Sequence, residues 1–307
     1  MDFPISHPLA SKLQQNVPLA RFTSARMGGV AEWYVVVERV AELVDAVQLA
    51  RDSGWHYRIL GAGSNLLISD QGVSGLVIHN RAKAVQIEQT AQYAHVFAES
   101  GAYLPALARQ CAMQGIAGLA WAATVPGTLG GAIFGNAGAH GSDMAQHLHS
   151  VQAFTQENIV VELALADLQM GYRTSRFKQN PQEFVILSAQ LLLPVGSAEQ
   201  IQAQISHFQE YRKRTQPPGA TMGSMFKNPP GDYAGRLIEA AGLKGYRVGD
   251  AEISPVHANF FVNHGTAKTS DIQTLINQAR QAVFEKFGVQ LQLEIEIWQE
   301  FSQENRI

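Results

Sequence analysis

The sequence holds a single cysteine, Cys111, in 307 residues. No disulfide can form within the chain, which excludes a disulfide-stapled secreted scaffold. Charge excess is lacking too. A formal net charge of -3 supplies no basic field for nucleic acid and no acidic block. Charged residues are few, 16% against 46% hydrophobic, a balance that suits a chain with a core and not a disordered one. The longest apolar stretch, "GIAGLAWAATVPGTLGGAIFG", is broken by Pro126 and several glycines and has no basic flanks, so it reads as a buried glycine-rich loop region and not as a membrane span. The first residues, "MDFPISHPLASKLQQNVPLARF", show no signal-peptide pattern. A soluble chain in the reducing cytoplasm is the expectation. The histidines offer the pairs His147/His149 and His257/His264. No third ligand stands at metal-like spacing, so no metal is expected.

What is present is a mixture of two periodicities. "EWYVVVE", "HYRIL", "GLVIH", "AVQIE", "AHVFAES", "SVQAFT", "NIVVEL" and "EFVILSAQLLL" read as strands. "VAELVDAVQLARDSG", "AYLPALARQCAMQG", "AEQIQAQISHFQEYRKRT", "AGRLIEAAG" and "SDIQTLINQARQAVFEKFG" read as helices, the last capped by Ser270. The closing "QLQLEIEIW" reads as a strand with Leu291, Leu293, Ile295 and Ile297 on one face, and Gln292, Glu294 and Glu296 on the other. The class is α+β. The length allows one large or two modest domains, and a shift to small polar residues near Gly196 predicts a division into 1–196 and 197–307.

Two glycine-rich loops stand out. "GAGSNLL" turns out of a strand, but its sixth position is Leu66 and no helix opens on it, so the dinucleotide fingerprint is absent. No G-K-[ST] follows either. Gly61, Ala62, Gly63, Ser64, Asn65 and Leu66 remain either a tight turn or a run of backbone amides able to bind anionic oxygens. "TVPGTLGGAIFGNAGAHG" is the second loop. Glycine at this density lets backbone lie flat on a ligand, and it also suits close helix–sheet packing. Thr124, Val125, Pro126, Gly127, Thr128, Gly130, Gly131, Asn136, Ala137 and Gly138 are its candidate cofactor contacts.

Three polar groups outside the loops are candidates for chemistry. Arg173, in "GYRTSRF", is as readily a surface arginine beside a turn as a carboxylate clamp. Ser224, in "GSMFKNPPG", lacks the G-x-S-x-G elbow of an activated nucleophile. It is a turn serine or a weak acid. Glu294 points away from the apolar face of its strand, as does its rival Glu296.

Taken together, "LGAGSNLL", "VPGTLGGAIFGNAGAHG", "GYRTSRFK", "GSMFKNP" and "LEIE", in that order over nearly the whole chain, resemble the UDP-N-acetylenolpyruvoylglucosamine reductase family. The resemblance implies a two-part FAD-binding domain of the vanillyl-alcohol-oxidase type followed by a smaller α+β substrate-binding domain. It implies non-covalent FAD, NADPH as co-substrate, and reduction of an enolpyruvyl sugar nucleotide in peptidoglycan precursor synthesis; a monomer is expected. It assigns Arg173 to charge stabilisation, Ser224 to proton donation and Glu294 to assisting at the enol. Tyr172, Lys227, Asn228 and Arg214 are the implied contacts to the substrate diphosphate, although the run Arg212–Arg214 equally fits the solvated end of a helix. Little chain separates Arg173 from Ser224, which resembles the branch lacking an extra tyrosine-bearing segment. An FAD-dependent alcohol oxidase with the same type of cofactor domain is the alternative. A nucleotide-sugar-binding protein without chemistry is a third reading, opposed by the intact Arg173, Ser224 and Glu294.

Overall fold

The computed structural model describes residues 7–299. β-branched and aromatic runs form the strands, and apolar positions at helical spacing form the helices. In chain order, β1 (Gln14–Pro18) and β2 (Val30–Val37) precede α1 (Val40–Asp52), β3 (Tyr57–Leu60), β4 (Leu66–Ile68) and β5 (Val73–Asn80). The pair β6 (Val85–Gln89) and β7 (Tyr93–Glu99) leads into α2 (Leu104–Met113), with Pro105 in its first turn, where the missing N–H leaves no bond unmade. Next come α3 (Leu129–Phe134), β8 (Gly138–Ala139), β9 (Ser142–Asp143), β10 (Leu148–Thr155), β11 (Val160–Ala164), α4 (Arg176–Gln179) and β12 (Phe184–Pro194). The remainder is α5 (Ala198–Thr215), β13 (Ala220–Ser224), α6 (Ala234–Ala240), β14 (Arg247–Val248), β15 (Ala251–Ile253), β16 (Phe260–Asn263), α7 (Thr269–Phe287) and β17 (Glu296–Trp298). Among the described residues no helix is long and apolar enough to cross a membrane.

Contacts divide the chain into two compact units, each discontinuous in sequence. The first takes the residues up to Leu13, Val35–Gly61 and Leu76–Tyr211. The second takes Gln14–Tyr34, Ala62–Gly75 and the chain from Arg212 onward. This differs from a linear division at residue 196. α5 belongs with the first unit as far as Tyr211, because Ile201 and Ile205 are buried in that unit's core. Two N-terminal segments belong with the second, because Ala25, Met27 and Leu67 are buried in its core.

The first unit is built on an antiparallel sheet in the order β11-β10-β12-β7-β6. Side chains alternate across it. Ala94, Val96, Ala98, Ala189, Leu191 and Leu193 are buried in the core, whereas Gln86, Glu88, His95 and Gln190 line a shallow polar hollow. α3 packs against β7 and β12, so the glycine-rich loop that contains it rests on the sheet.

The second unit has the antiparallel sheet β13-β16-β15-β14, with α7 packed on β14, β15 and α6. α7 buries Ile272, Leu275, Ile276, Ala279 and Val283 as one stripe, as its spacing predicts. Its start is not capped by Ser270. The N-cap is Lys268, and Asp70 reaches in from the N-terminal part of the chain. Asp70 Oδ1 accepts the Thr269 N–H at 2.9 Å, and Thr269 Oγ1 donates to the Ile68 carbonyl at 2.6 Å. The closing stretch is not one nine-residue strand. Phe226 and Leu293 form an isolated antiparallel bridge. After a bend at Ile295 the chain pairs in parallel with β4, Ile297 against Leu67. Leu291 and Ile295 are buried while Leu293 and Ile297 are only half-buried, so the simple alternation fails where the chain changes partner.

Candidate active site

The loop from Gly61 to Leu66 leaves β3 and enters β4 without a helix, as the sequence predicts. Gly61 is needed for close approach, since a Cβ there would stand 2.5 Å from Thr128 Oγ1. Among the described residues, the N–H groups of Ala62 and Gly63 find no acceptor in the chain. Asn65 uses its side chain internally: Nδ2 donates to the Glu294 carbonyl at 3.1 Å, and its own carbonyl accepts the Glu296 N–H at 2.9 Å.

The second loop contains a helix, contrary to the reading of this stretch as loop throughout. Thr128 caps α3, its Oγ1 accepting the Gly131 N–H at 3.4 Å. A threonine at the cap and alanine, isoleucine and phenylalanine after the glycines suffice for one and a half turns against the sheet. Leu129 and Gly130 donate their N–H groups to the carbonyls of Ala102 and Ser100, which anchors the helix start. Val125 donates to Ala122, and Thr124 Oγ1 donates to the Trp121 carbonyl. Among the described residues, the N–H groups of Gly127 and Thr128 find no acceptor in the chain, and Pro126 between them and Val125 has none to give. Amides left without acceptors are what a diphosphate requires. Each loop therefore fits, by its donor set, the diphosphate of a dinucleotide cofactor.

The end of the second loop positions Arg173. Asn136 adopts φ +42 and is 3% exposed. Its Nδ2 donates to the Gly171 carbonyl at 2.9 Å and its Oδ1 accepts the Ala145 N–H at 3.1 Å. Ser175, fully buried, donates to the Phe134 carbonyl at 2.7 Å and caps α4. Arg173 itself adopts φ +55, a left-handed conformation that a non-glycine residue keeps only when its surroundings hold it. Its Nη2 donates to the Gly138 carbonyl at 2.7 Å, and its guanidinium lies 5.3 Å from the centre of the Tyr172 ring. The arginine is thus oriented by the same loop that offers the free amides. Tyr172 is exposed.

Within the second unit the structure brings Ser224 and Glu294 onto adjoining segments. Gly223, φ +81, opens a slip in the β13–β16 ladder, and Ser224 ends β13. The Glu294 N–H donates to the Met225 carbonyl at 2.9 Å, and the Lys227 N–H donates to the Gln292 carbonyl at 2.8 Å. Glu294 is therefore next to the serine segment, whereas Glu296 is held by Asn65 and pairs with Leu66. Asn228 Oδ1 accepts the Ala234 N–H at 3.1 Å at the start of α6. Arg214 stands exposed in the last turn of α5. Burial pushes the Cys111 thiol up to about 12, which makes it a poor nucleophile. Ser175, Asn259 and Asp70, all with structural hydrogen bonds here, carry no sequence signal beyond being polar.

Two family models match the chain. The family described as FAD binding domain matches residues 31–164, and that described as UDP-N-acetylenolpyruvoylglucosamine reductase, C-terminal domain, matches residues 214–298. A UDP-N-acetylenolpyruvoylglucosamine reductase of Chloroflexus aggregans is 41% identical over 93% of this chain and 97% of its own length. One from a Synechococcus species is 43% identical over 94% and 92%. The crystal structure of the corresponding reductase from Thermus caldophilus superposes with a TM-score of 0.80 at 33% identity, covering 94% of this chain and all of that one. Identity at this level over nearly the whole of both chains means that the chain belongs to the UDP-N-acetylenolpyruvoylglucosamine reductase family.

Proposed function

We propose that this protein reduces the enolpyruvyl ether of UDP-N-acetylglucosamine to the lactyl ether of UDP-N-acetylmuramate, with NADPH as electron source and FAD as non-covalent carrier, in peptidoglycan precursor synthesis. The observation that carries the reading is the pairing of Glu294 with Met225, which sets a carboxylate beside the segment of a serine unsuited to nucleophilic attack. We assign cofactor binding to residues within 1–196, and substrate binding to residues within 197–307 together with Tyr172 and Arg173. A cytoplasmic location and a monomeric state are part of this proposal.

FAD is held in this reading by the backbone of 61–66, 124–131 and 136–138. When bound, it supplies hydride acceptance from NADPH and hydride donation to the terminal vinyl carbon. Negative charge then develops on the neighbouring carbon and spreads into the substrate carboxylate. Arg173, whose fork is aimed by the Gly138 carbonyl, stabilises that charge. Ser224 Oγ delivers a proton to the same carbon. A hydroxyl is a weak acid, but an enolate carbon is basic enough to take its proton. Glu294 orients the enol from the adjoining segment. Lys227, Asn228, Arg214 and Tyr172 bind the diphosphate.

An alcohol oxidase would need no proton donor at Ser224 and is not favoured. The test is Ser224→Ala. NADPH should still bleach its flavin, while reoxidation by the enolpyruvyl nucleotide should slow by roughly 10²–10⁴-fold. Unchanged reoxidation would remove Ser224 from the role of acid.

A further inference from the structure

Ser224 is followed by two residues whose backbone polar groups are all taken. The Met225 N–H donates to the Asn259 carbonyl at 2.7 Å, and the Met225 carbonyl accepts the Glu294 N–H at 2.9 Å. Phe226 is gripped by a side chain. Asn259 Oδ1 accepts its N–H at 2.9 Å, and Asn259 Nδ2 donates to its carbonyl at 2.8 Å. One amide side chain thus does what a neighbouring strand would do. It is 3% exposed and reaches no solvent-side partner. The carboxylate of an aspartate would lose the donor, and an apolar residue would leave both Phe226 groups buried without partners.

Within its strand the serine is paired at one position, opposite Phe260, beyond a break in the ladder. The ladder between β13 and β16 slips between Thr221 and Ser224, and Gly223 before the serine is in the left-handed region at φ +81. The firm attachment lies on the C-terminal side, at Asn259. Asn259 is in turn fixed, its N–H donating to His257 Nδ1 at 3.2 Å.

We infer that Asn259 is the positioning residue of the proton donor, locking the Met225–Phe226 backbone so that Ser224 Oγ is held at the carbon it protonates. The inference rests on the reading of Ser224 as the acid. A weak acid depends on placement more than a strong one does, and a misplacement of about 1 Å costs on the order of 10²-fold. Asn259 touches no substrate and acts only through the serine.

The experiment is a double-mutant cycle on the anaerobic half-reactions of the FAD-loaded enzyme, with Ser224→Ala, Asn259→Ala and both together. Asn259→Ala alone should slow reoxidation by the enolpyruvyl nucleotide by about tenfold to a hundredfold and leave reduction by NADPH unchanged. In the Ser224→Ala background it should cost almost nothing further. A solvent deuterium effect on reoxidation should grow in Asn259→Ala and be absent from the cycle's Ser224→Ala arm. Equal losses in both backgrounds, or a parallel loss in both half-reactions, would overturn the inference and leave Asn259 a structural support alone. If Asn259→Ala does not fold, Asn259→Asp, which keeps the volume and the acceptor but not the donor, is read in the same cycle with the same outcomes. A wild-type enzyme that is reduced by NADPH but not reoxidised by the nucleotide would overturn the functional reading first, and this inference with it.

Discussion

At the scale of single residues, the proposed chemistry divides among side chains that the backbone holds in unusual ways. Arg173 is kept at φ +55 and tied to Gly138, so its planar fork has a set direction. Arg173→Lys should lower substrate-dependent reoxidation by at least about tenfold, because an ammonium keeps the charge but loses the fork. Stopped-flow absorbance would measure this, and a rate equal to wild type would contradict the assignment. The two glutamates separate more sharply. Asn65 bonds both, but only Glu294 is also bonded to the serine segment, while Glu296 pairs with Leu66 of β4, so Glu294→Gln should cost far more turnover than Glu296→Gln. The reverse ranking in steady-state kinetics would exchange their roles. Ser224 and Arg173 stand out as candidates in the sequence because each lies in a contiguous motif. Asn259 is not, since its partner Phe226 is 33 positions away and a lone asparagine before a strand has many uses.

At the scale of elements, the helix starts show why boundaries are harder to read than helices. The apolar stripe of α7 is plain in the sequence, but its cap comes from Asp70, 199 positions from Thr269, and no local pattern can reveal that. Asp70→Ala should destabilise the protein by about 1 kcal/mol, checked by the denaturant midpoint. α1 begins on a different device. Glu42, largely buried, accepts the Glu38 N–H at 3.0 Å and the Arg39 guanidinium at 2.7 Å, with Lys12 at 3.1 Å. The Glu38 N–H first, and then Arg39, hold its carboxyl down at about 2, against 4.5 normally. A depressed folded-state pKa contributes stability that is complete above the unfolded value and is lost as pH falls toward the folded one. Glu42→Gln should therefore cost about 1 kcal/mol near neutral pH. That difference should shrink as the pH is lowered from about 5 to about 3. A pH-independent difference would mean the charge is not what stabilises the turn. The closing strand misled for a related reason: its alternation is regular in sequence, but the chain changes partner at Ile295, and periodicity carries no record of the partner.

At the scale of the whole molecule, the units are woven from separated stretches of chain. The second unit's core takes Ala25, Met27 and Leu67 together with residues from Met222 onward. Asn263 Nδ2 donates to the Ala25 carbonyl at 2.8 Å, and β17 pairs with β4. A fragment of residues 197–307 should therefore fail to unfold cooperatively by circular dichroism, and a cooperative transition would contradict the interleaving. Composition alone marks a shift near Gly196, but it cannot register segments that return to a distant core. The fold class and the order of motifs are legible because they depend on local pattern. The weave is not, because it depends on which buried faces meet. The proposed function needs the cofactor and both substrates, and one anaerobic titration tests it most directly. The purified protein, loaded with FAD, is bleached with NADPH under exclusion of oxygen and then given the enolpyruvyl sugar nucleotide. The account predicts that flavin absorbance returns in stoichiometric proportion to the nucleotide and that the lactyl ether is formed. A flavin that stays bleached with the nucleotide and regains its colour only when oxygen is admitted would contradict it.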